Sequence, residues 1–207
     1  MTASVRTQAF DQRKRLLVVQ VLSVSAILVL LFSRPLWTEA SWIYGGMKYA
    51  GVMLIFACVL GRLWSILFVG SRKSSELVTE GPYSITRNPL YVFSTIGIFG
   101  IGLVFGSIVV AVLFGGLSYL IFSVTALKEA AYLRGKFPAE FAAYEASTPL
   151  FWPSFRLFNQ PDEVSFSPVA LKRTFIDALY FIVMIPLIEG VKYLQSAELW
   201  PTFIWLP

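Results

Sequence analysis

Four long apolar runs, separated by short charged stretches, organise the chain. The first, Leu16 to Ser33, has no charged residue over 18 positions, follows Arg13-Lys14-Arg15 and precedes Arg34-Pro35. A secretory signal has an apolar core of about 7–15 residues and a small-residue cleavage site. This run is longer and leads into Pro35-Leu36-Trp37, so it predicts a retained transmembrane helix. The second run, about Tyr44 to Gly70, has Trp42 and Tyr44 at one end and Arg62 inside. At ~1.5 Å per residue it is long enough to cross a ~30 Å hydrocarbon core with tilt.

The third run, Leu90 to Leu127, is 38 residues without a charge. As one helix it would be about 57 Å long, far more than a bilayer accepts, so it is predicted to double back. Gly97, Gly100, Gly102, Gly106 and Ser107 mark the expected turn. The fourth run, Thr174 to Leu194, is interrupted by Asp177 and Glu189 and carries Pro186, which should kink it. Lys172-Arg173 before it and Trp200 and Trp205 after it suit membrane interfaces, so a fifth crossing is predicted.

The pattern predicts an all-α integral membrane bundle. It has about five transmembrane helices, a tight helical hairpin and cytosolic interfacial helices. Residues 1–70 hold two N-terminal spans, 71–160 the loop, hairpin and cytosolic helices, and 161–207 a linker and the last span. With the N-terminus in the cytosol, 13 of the 17 Lys and Arg residues fall on the cytosolic side. That asymmetry sets the orientation.

Composition sharpens the class. Of 207 residues 57% are hydrophobic and 14% charged, against about 45–50% and 25% in soluble domains. The net charge of +5 does not indicate nucleic acid, because the basic residues flank apolar runs. One cysteine, Cys58, lies in an apolar run and there is no histidine. Disulfide frameworks, Ser-His relays and ordinary zinc sites are thereby excluded, and no metal centre is expected. The chemistry must need little proton transfer.

A polar island, GPYSITRNPLY from Gly81 to Tyr91, stands at the start of the uncharged run. Gly81-Pro82 makes a bend. Asn88-Pro89 reads as a helix start, with Asn as cap and Pro in the first turn. Arg87 offers a planar fork for an anion beside the partly positive helix end, and Tyr91 adds a hydroxyl one turn in. If the run doubles back, Lys128-Glu129 returns to the same face. One cation and one anion then face each other, which suits a zwitterionic ligand. Past Glu129, Leu133, Phe137, Phe141 and Tyr144 fall on one helical stripe, with breaks expected at Gly135 and Pro138.

LVTEGPYSITRNPLY (Leu77 to Tyr91) resembles the GPYxxxRHPxY motif of membrane methyltransferases. These include isoprenylcysteine carboxyl methyltransferase and phospholipid N-methyltransferases. EAAYL (Glu129 to Leu133) and KFPAEFAAY (Lys136 to Tyr144) are similar to that family's EExxL…FGxxYxxY segment. The resemblance covers about residues 60–153. It implies an S-adenosylmethionine site at the cytosolic surface and a lipid or prenylated substrate entering from the membrane. Arg87 and Glu129 would be the catalytic polar pair. Gly81, Tyr83, Asn88, Pro89, Leu90 and Tyr91 would bind the cofactor together with Glu129, and Tyr144 would close the pocket. Asn88 stands where His is frequent, Ala130 where a second Glu is frequent, and Pro138 where Gly is. Methyl transfer from a sulfonium fits a chain without histidine.

Two other readings remain open at this stage. An NADPH-dependent membrane reductase of sterol-reductase type would need several extra basic residues near the island, where only Arg72, Lys73 and Lys128 are available. A non-catalytic carrier would line a path with intramembrane charges such as Arg62, Asp177 and Glu189.

Overall fold

A computed structural model describes residues 25, 27–37, 41–70 and 76–207. Most of the first predicted span lies outside the described residues; residues 27–32 are helical and lead into strand β1, Ser33–Pro35. Helix α1, Trp42–Val69, follows, with Ser41 Oγ accepting from the Ile43 amide at 3.3 Å. A short helix α2, Pro82–Ile85, then leads to α3, Pro89–Phe105, and α4, Ile108–Lys136. Helix α5, Pro138–Ser147, a 3-10 turn at Phe155–Leu157, α6, Pro168–Ser196, and strand β2, Ile204–Leu206, complete the order. Strands β1 and β2 pair in parallel, Ser33 opposite Ile204.

The long uncharged run does fold back, and its turn is narrower than expected. Gly106, at φ +95°, takes the left-handed conformation that ends α3, and its amide donates to Gly102 and Leu103 carbonyls. Ser107 then caps α4 by accepting from the Val110 amide at 3.1 Å. Glycines 97, 100 and 102 are not part of the turn. They let helices approach closely: a Cβ on Gly100 would lie 2.8 Å from the Gly51 carbonyl oxygen of α1, and one on Gly102 2.3 Å from Ala111 Cα. Small residues serve this purpose where lipid supplies no hydrophobic drive between helices.

The two legs are unequal. Helix α3 has 17 residues, about 25 Å, while α4 has 29, about 43 Å. Consequently α4 continues nine residues past Leu127 and carries Glu129 on a helical wall rather than at a helix end. Among the described residues α1, α4 and α6 are long and apolar enough to cross a membrane, and α3 is a shorter apolar helix. The chain is a membrane bundle of the all-α class, with the short β1–β2 pair its only sheet among the described residues. Its buried centre joins Ile55 of α1, Val104 and Phe105 of α3, Val110 of α4 and Ile188 of α6.

The last span is longer than the 174–194 stretch predicted and runs as one helix through Pro186. Its two charges nearest the C-terminal end, Glu189 and Lys192, are answered. Glu189 pairs with Lys48 at 3.0 Å and Lys192 at 3.2 Å, and the buried Lys192 ammonium also donates to Tyr44 Oη at 2.5 Å and the Val104 carbonyl at 2.9 Å. Paired charges of this kind are tolerated within a bundle.

Candidate active site

The polar island folds into a tight hook because Gly81 takes φ +59° and packs its α-carbon on the Phe68 ring, where a Cβ would lie 2.3 Å from ring carbons. The hook is stitched to the segment after α5. The Gly81 amide donates to the Asn159 carbonyl at 2.7 Å, the Thr86 hydroxyl to Phe151 at 2.8 Å, and the Arg87 amide to Pro149 at 2.9 Å. Asn88 occupies the N-cap position of α3, yet its side chain makes no cap; Nδ2 donates to the Leu150 carbonyl at 2.9 Å. The expected capping role is therefore replaced by a tertiary tie. The bond from Nδ2 to Leu150 holds the side chain in an orientation in which Oδ1 accepts from none of the first-turn amides.

Across the hairpin, Tyr91 Oη donates to Glu129 Oε1 at 2.8 Å, and the Tyr91 ring stacks on Phe122 with centroids 5.0 Å apart. The two separated sequence blocks thus meet on one face. The expected Arg87–Glu129 partnership takes a different form. Arg87 Nη1 donates to Glu145 Oε1 at 2.6 Å, while Arg134 grips the same carboxylate through Nε at 2.8 Å and Nη2 at 2.9 Å. Arg87 and Glu129 share a cavity wall without forming an ion pair. Two guanidiniums hold the Glu145 pKa down at about 2, Arg134 contributing first.

The cavity measures about 350 Å³. Ile66 and Val69 of α1 with Leu90 of α3 form one apolar wall, and Tyr83, Arg87, Asn88, Tyr91 and Glu129 form the polar side. Phe141 and Tyr144 of α5 close it, and Tyr144 Oη donates to the Tyr83 carbonyl at 2.6 Å. Burial, then the neighbouring Tyr144, Glu129 and Tyr91 groups, pushes the Tyr83 phenol well above its ordinary pKa. Tyr144 is likewise raised by burial. Arg87 is mostly buried, and its Nε has no hydrogen-bond partner. Beyond Tyr144 a wider cavity of about 710 Å³ shares Glu76, Leu77 and Tyr144 with the first.

Of the predicted site residues, Tyr83, Arg87, Asn88, Leu90, Tyr91, Glu129 and Tyr144 line the cavity. Gly81 and Pro89 do not; both are buried in the hook and shape it. Helix α4 runs unbroken through Gly135 and stops at Phe137, with Pro138 opening α5 as expected. The apolar stripe holds: Phe141 and Tyr144 pack with Ala130, Leu133 and Phe137. Ala130 belongs to that buried cluster, so the position of the second carboxylate is filled by packing. Glu145 and Leu150 went unrecognised from sequence. Glu145 lies four residues after Phe141, on the same helical face, and that spacing was the available signal.

Comparison with known proteins agrees with this geometry. Residues 46–140 match the phospholipid methyltransferase family, a stretch that includes the whole hook, the hairpin and Glu129. The chain is 33% identical over 184 residues to the nickel-cobalt-cadmium resistance protein NccN of Alcaligenes xylosoxydans xylosoxydans, covering 89% of this chain and 86% of that one. It is 29% identical over 188 residues to the cobalt-zinc-cadmium resistance protein CzcN of Cupriavidus metallidurans, covering 91% and 86%. No solved structure matches it. With both blocks of the motif folded onto one cavity and the family match spanning them, the chain belongs to the phospholipid methyltransferase family of membrane proteins.

Proposed function

We propose that this protein transfers a methyl group from S-adenosylmethionine to an amine of a membrane lipid at the cytosolic face. The observation that carries the reading is the Tyr91–Glu129 hydrogen bond in the wall of a cavity that also takes in Arg87. The cavity volume lies in the ~300–1,000 Å³ range of small-molecule sites. Its residues fit the cofactor's charged and aromatic groups. The unpartnered Arg87 Nε suits the cofactor carboxylate, Glu129 suits its ammonium, and the rings of Tyr83, Phe141 and Tyr144 suit adenine and the sulfonium.

When bound, the cofactor supplies a methyl group already activated by the sulfonium, so transfer depends on alignment and exclusion of water. The protein's residues provide both. Tyr91 fixes the Glu129 carboxylate through Oε1, which leaves Oε2 to take the proton released when an amine is methylated. Glu145 fixes the Arg87 guanidinium. Phe141 and Tyr144 shield the cavity from the cytosol. An amine is favoured over a carboxylate acceptor because Arg87 is the cation in the wall, Glu145 already engages it, and Glu76 and Glu129 would repel a second anion. The basic residues of the loops support a cytosolic site and N-terminus.

The names of the two relatives attach them to nickel, cobalt, zinc and cadmium resistance. Methylating headgroups would change the membrane surface, a route to tolerance acting through lipid. The test is direct: incubate the detergent-purified protein with methyl-labelled S-adenosylmethionine and membrane lipid, then identify labelled lipids by mass spectrometry. Wild type should label a lipid amine, while Arg87→Ala and Glu129→Ala should not. Label on lipid carboxylates alone, or none with wild type, overturns the reading.

A further inference from the structure

Helix α1 carries two basic side chains, and neither lines the cavity: Lys48 is paired with Glu189, while Arg62 has no carboxylate partner among the described residues. Arg62 lies seven residues before the end of α1, about 10 Å below it. A helix of 28 residues, about 42 Å, overreaches a ~30 Å core. Centred in the bilayer, α1 places Arg62 just beneath the headgroup layer. Its Nη1 donates to Ser94 Oγ at 2.5 Å, and its Cζ stands 5.8 Å from the Phe181 ring centroid. Ser94 is a neutral acceptor whose own proton goes to the Leu90 carbonyl at 2.7 Å. Arg62 Nε is buried without a hydrogen-bond partner, and none of the ion pairs among the described residues involves this guanidinium.

A cation held at this depth by one hydroxyl and one ring is costly unless an anion answers it. Its position says which anion. Arg62, Ile66 and Val69 share one stripe of α1, and Leu90 and Ser94 share one of α3. Ile66, Val69 and Leu90 line the cavity, so the Arg62–Ser94 bridge lies one helical turn beneath its apolar wall. Glu189 and Lys192, which answer each other, lie toward the opposite end of the bundle, beside Tyr44 of α1.

We propose that Arg62 is a subsite for the phosphate of a phospholipid, which enters along α1 and α6 and presents its headgroup upward to the cavity. A guanidinium binds phosphate through paired N–H groups, and an arginine under the headgroup layer meets lipid phosphates before soluble ones. The inference rests on the methyl-transfer reading in calling this lipid the acceptor; the binding itself does not.

The test therefore uses a phospholipid without an amine. Purified full-length protein in detergent is titrated with dioleoylphosphatidylglycerol, dioleoylglycerol or inorganic phosphate, and the thermal unfolding midpoint is followed. Phosphatidylglycerol should raise the midpoint of wild type saturably, and the other two should not. Arg62→Gln, which keeps a donor for Ser94, should raise the half-saturating lipid concentration tenfold or more, and Arg62→Lys should fall between. Glu129→Ala should respond to this lipid as wild type does, even with methyl transfer abolished. An Arg62→Gln curve matching wild type, or an equal response to dioleoylglycerol, overturns the proposal. An equal response to inorganic phosphate overturns it too, in favour of a soluble anion.

Discussion

Tyr91 and Glu129, 38 positions apart in sequence, meet through a 2.8 Å hydrogen bond between the first turn of α3 and the last turns of α4. Removing only the hydroxyl isolates that bond. Tyr91→Phe keeps the ring that stacks on Phe122. A hydrogen bond to a charged group contributes ~1.5–3 kcal/mol, and the partial exposure of Glu129 places the expected loss near the low end. Methyl-transfer kcat/KM should fall about tenfold, with the thermal midpoint little changed. An unchanged kcat/KM would show that the bond has no part in the reaction.

The Arg87–Glu145–Arg134 cluster ties α5 to the hook and to α4. Glu145→Gln keeps its shape and removes its charge, so Arg87 should lose its fixed orientation. Cofactor KM should rise about tenfold while the lipid KM stays within twofold, measured by initial rates. A matched rise in both would point to general disorder of the site.

The same carboxylate makes a pH prediction. Its folded pKa is lowered from about 4.5 to about 2. The stabilisation is thus fully present above about pH 4.5 and is lost as pH falls toward about 2. Thermal midpoints of wild type and Glu145→Gln should differ by a constant amount from pH 5 to 8 and converge below about 4. A difference that changes between pH 6 and 8 would contradict the assignment.

How much of this was legible is clearest at Gly106 and Glu145. The fold-back followed from length alone, because 38 uncharged residues cannot run straight through a bilayer. Where the chain turns did not follow, since five small residues competed and only the packing of α1 and α4 on α3 assigns Gly100 and Gly102 to close approach. Meeting of the hook and Glu129 was readable from the hairpin. The partner of Arg87 was not, because Glu145 reaches it only once the short α5 has folded back beside the hook. Asn88 illustrates the same limit: a local cap rule lost to the Leu150 carbonyl, 62 positions away.

The far end of the bundle should be separable from the cavity. Lys192→Met would strip Tyr44, Val104 and Glu189 of a shared donor while leaving Glu189 its bond to Lys48. A loss of about 2 kcal/mol in stability is expected for the unsatisfied groups, read as a lower thermal midpoint. Cofactor affinity measured below that midpoint should stay within twofold. A large affinity change would mean the two ends are coupled.

Titrating S-adenosylmethionine into the detergent-purified protein and its Glu129→Ala variant, with heat or fluorescence as readout, tests most directly whether the two motif blocks form one cofactor wall. Wild type should bind saturably and the variant at least about tenfold more weakly, in line with the loss of one charge-assisted contact. Equal affinity in the two proteins would contradict a wall built from Tyr91 and Glu129.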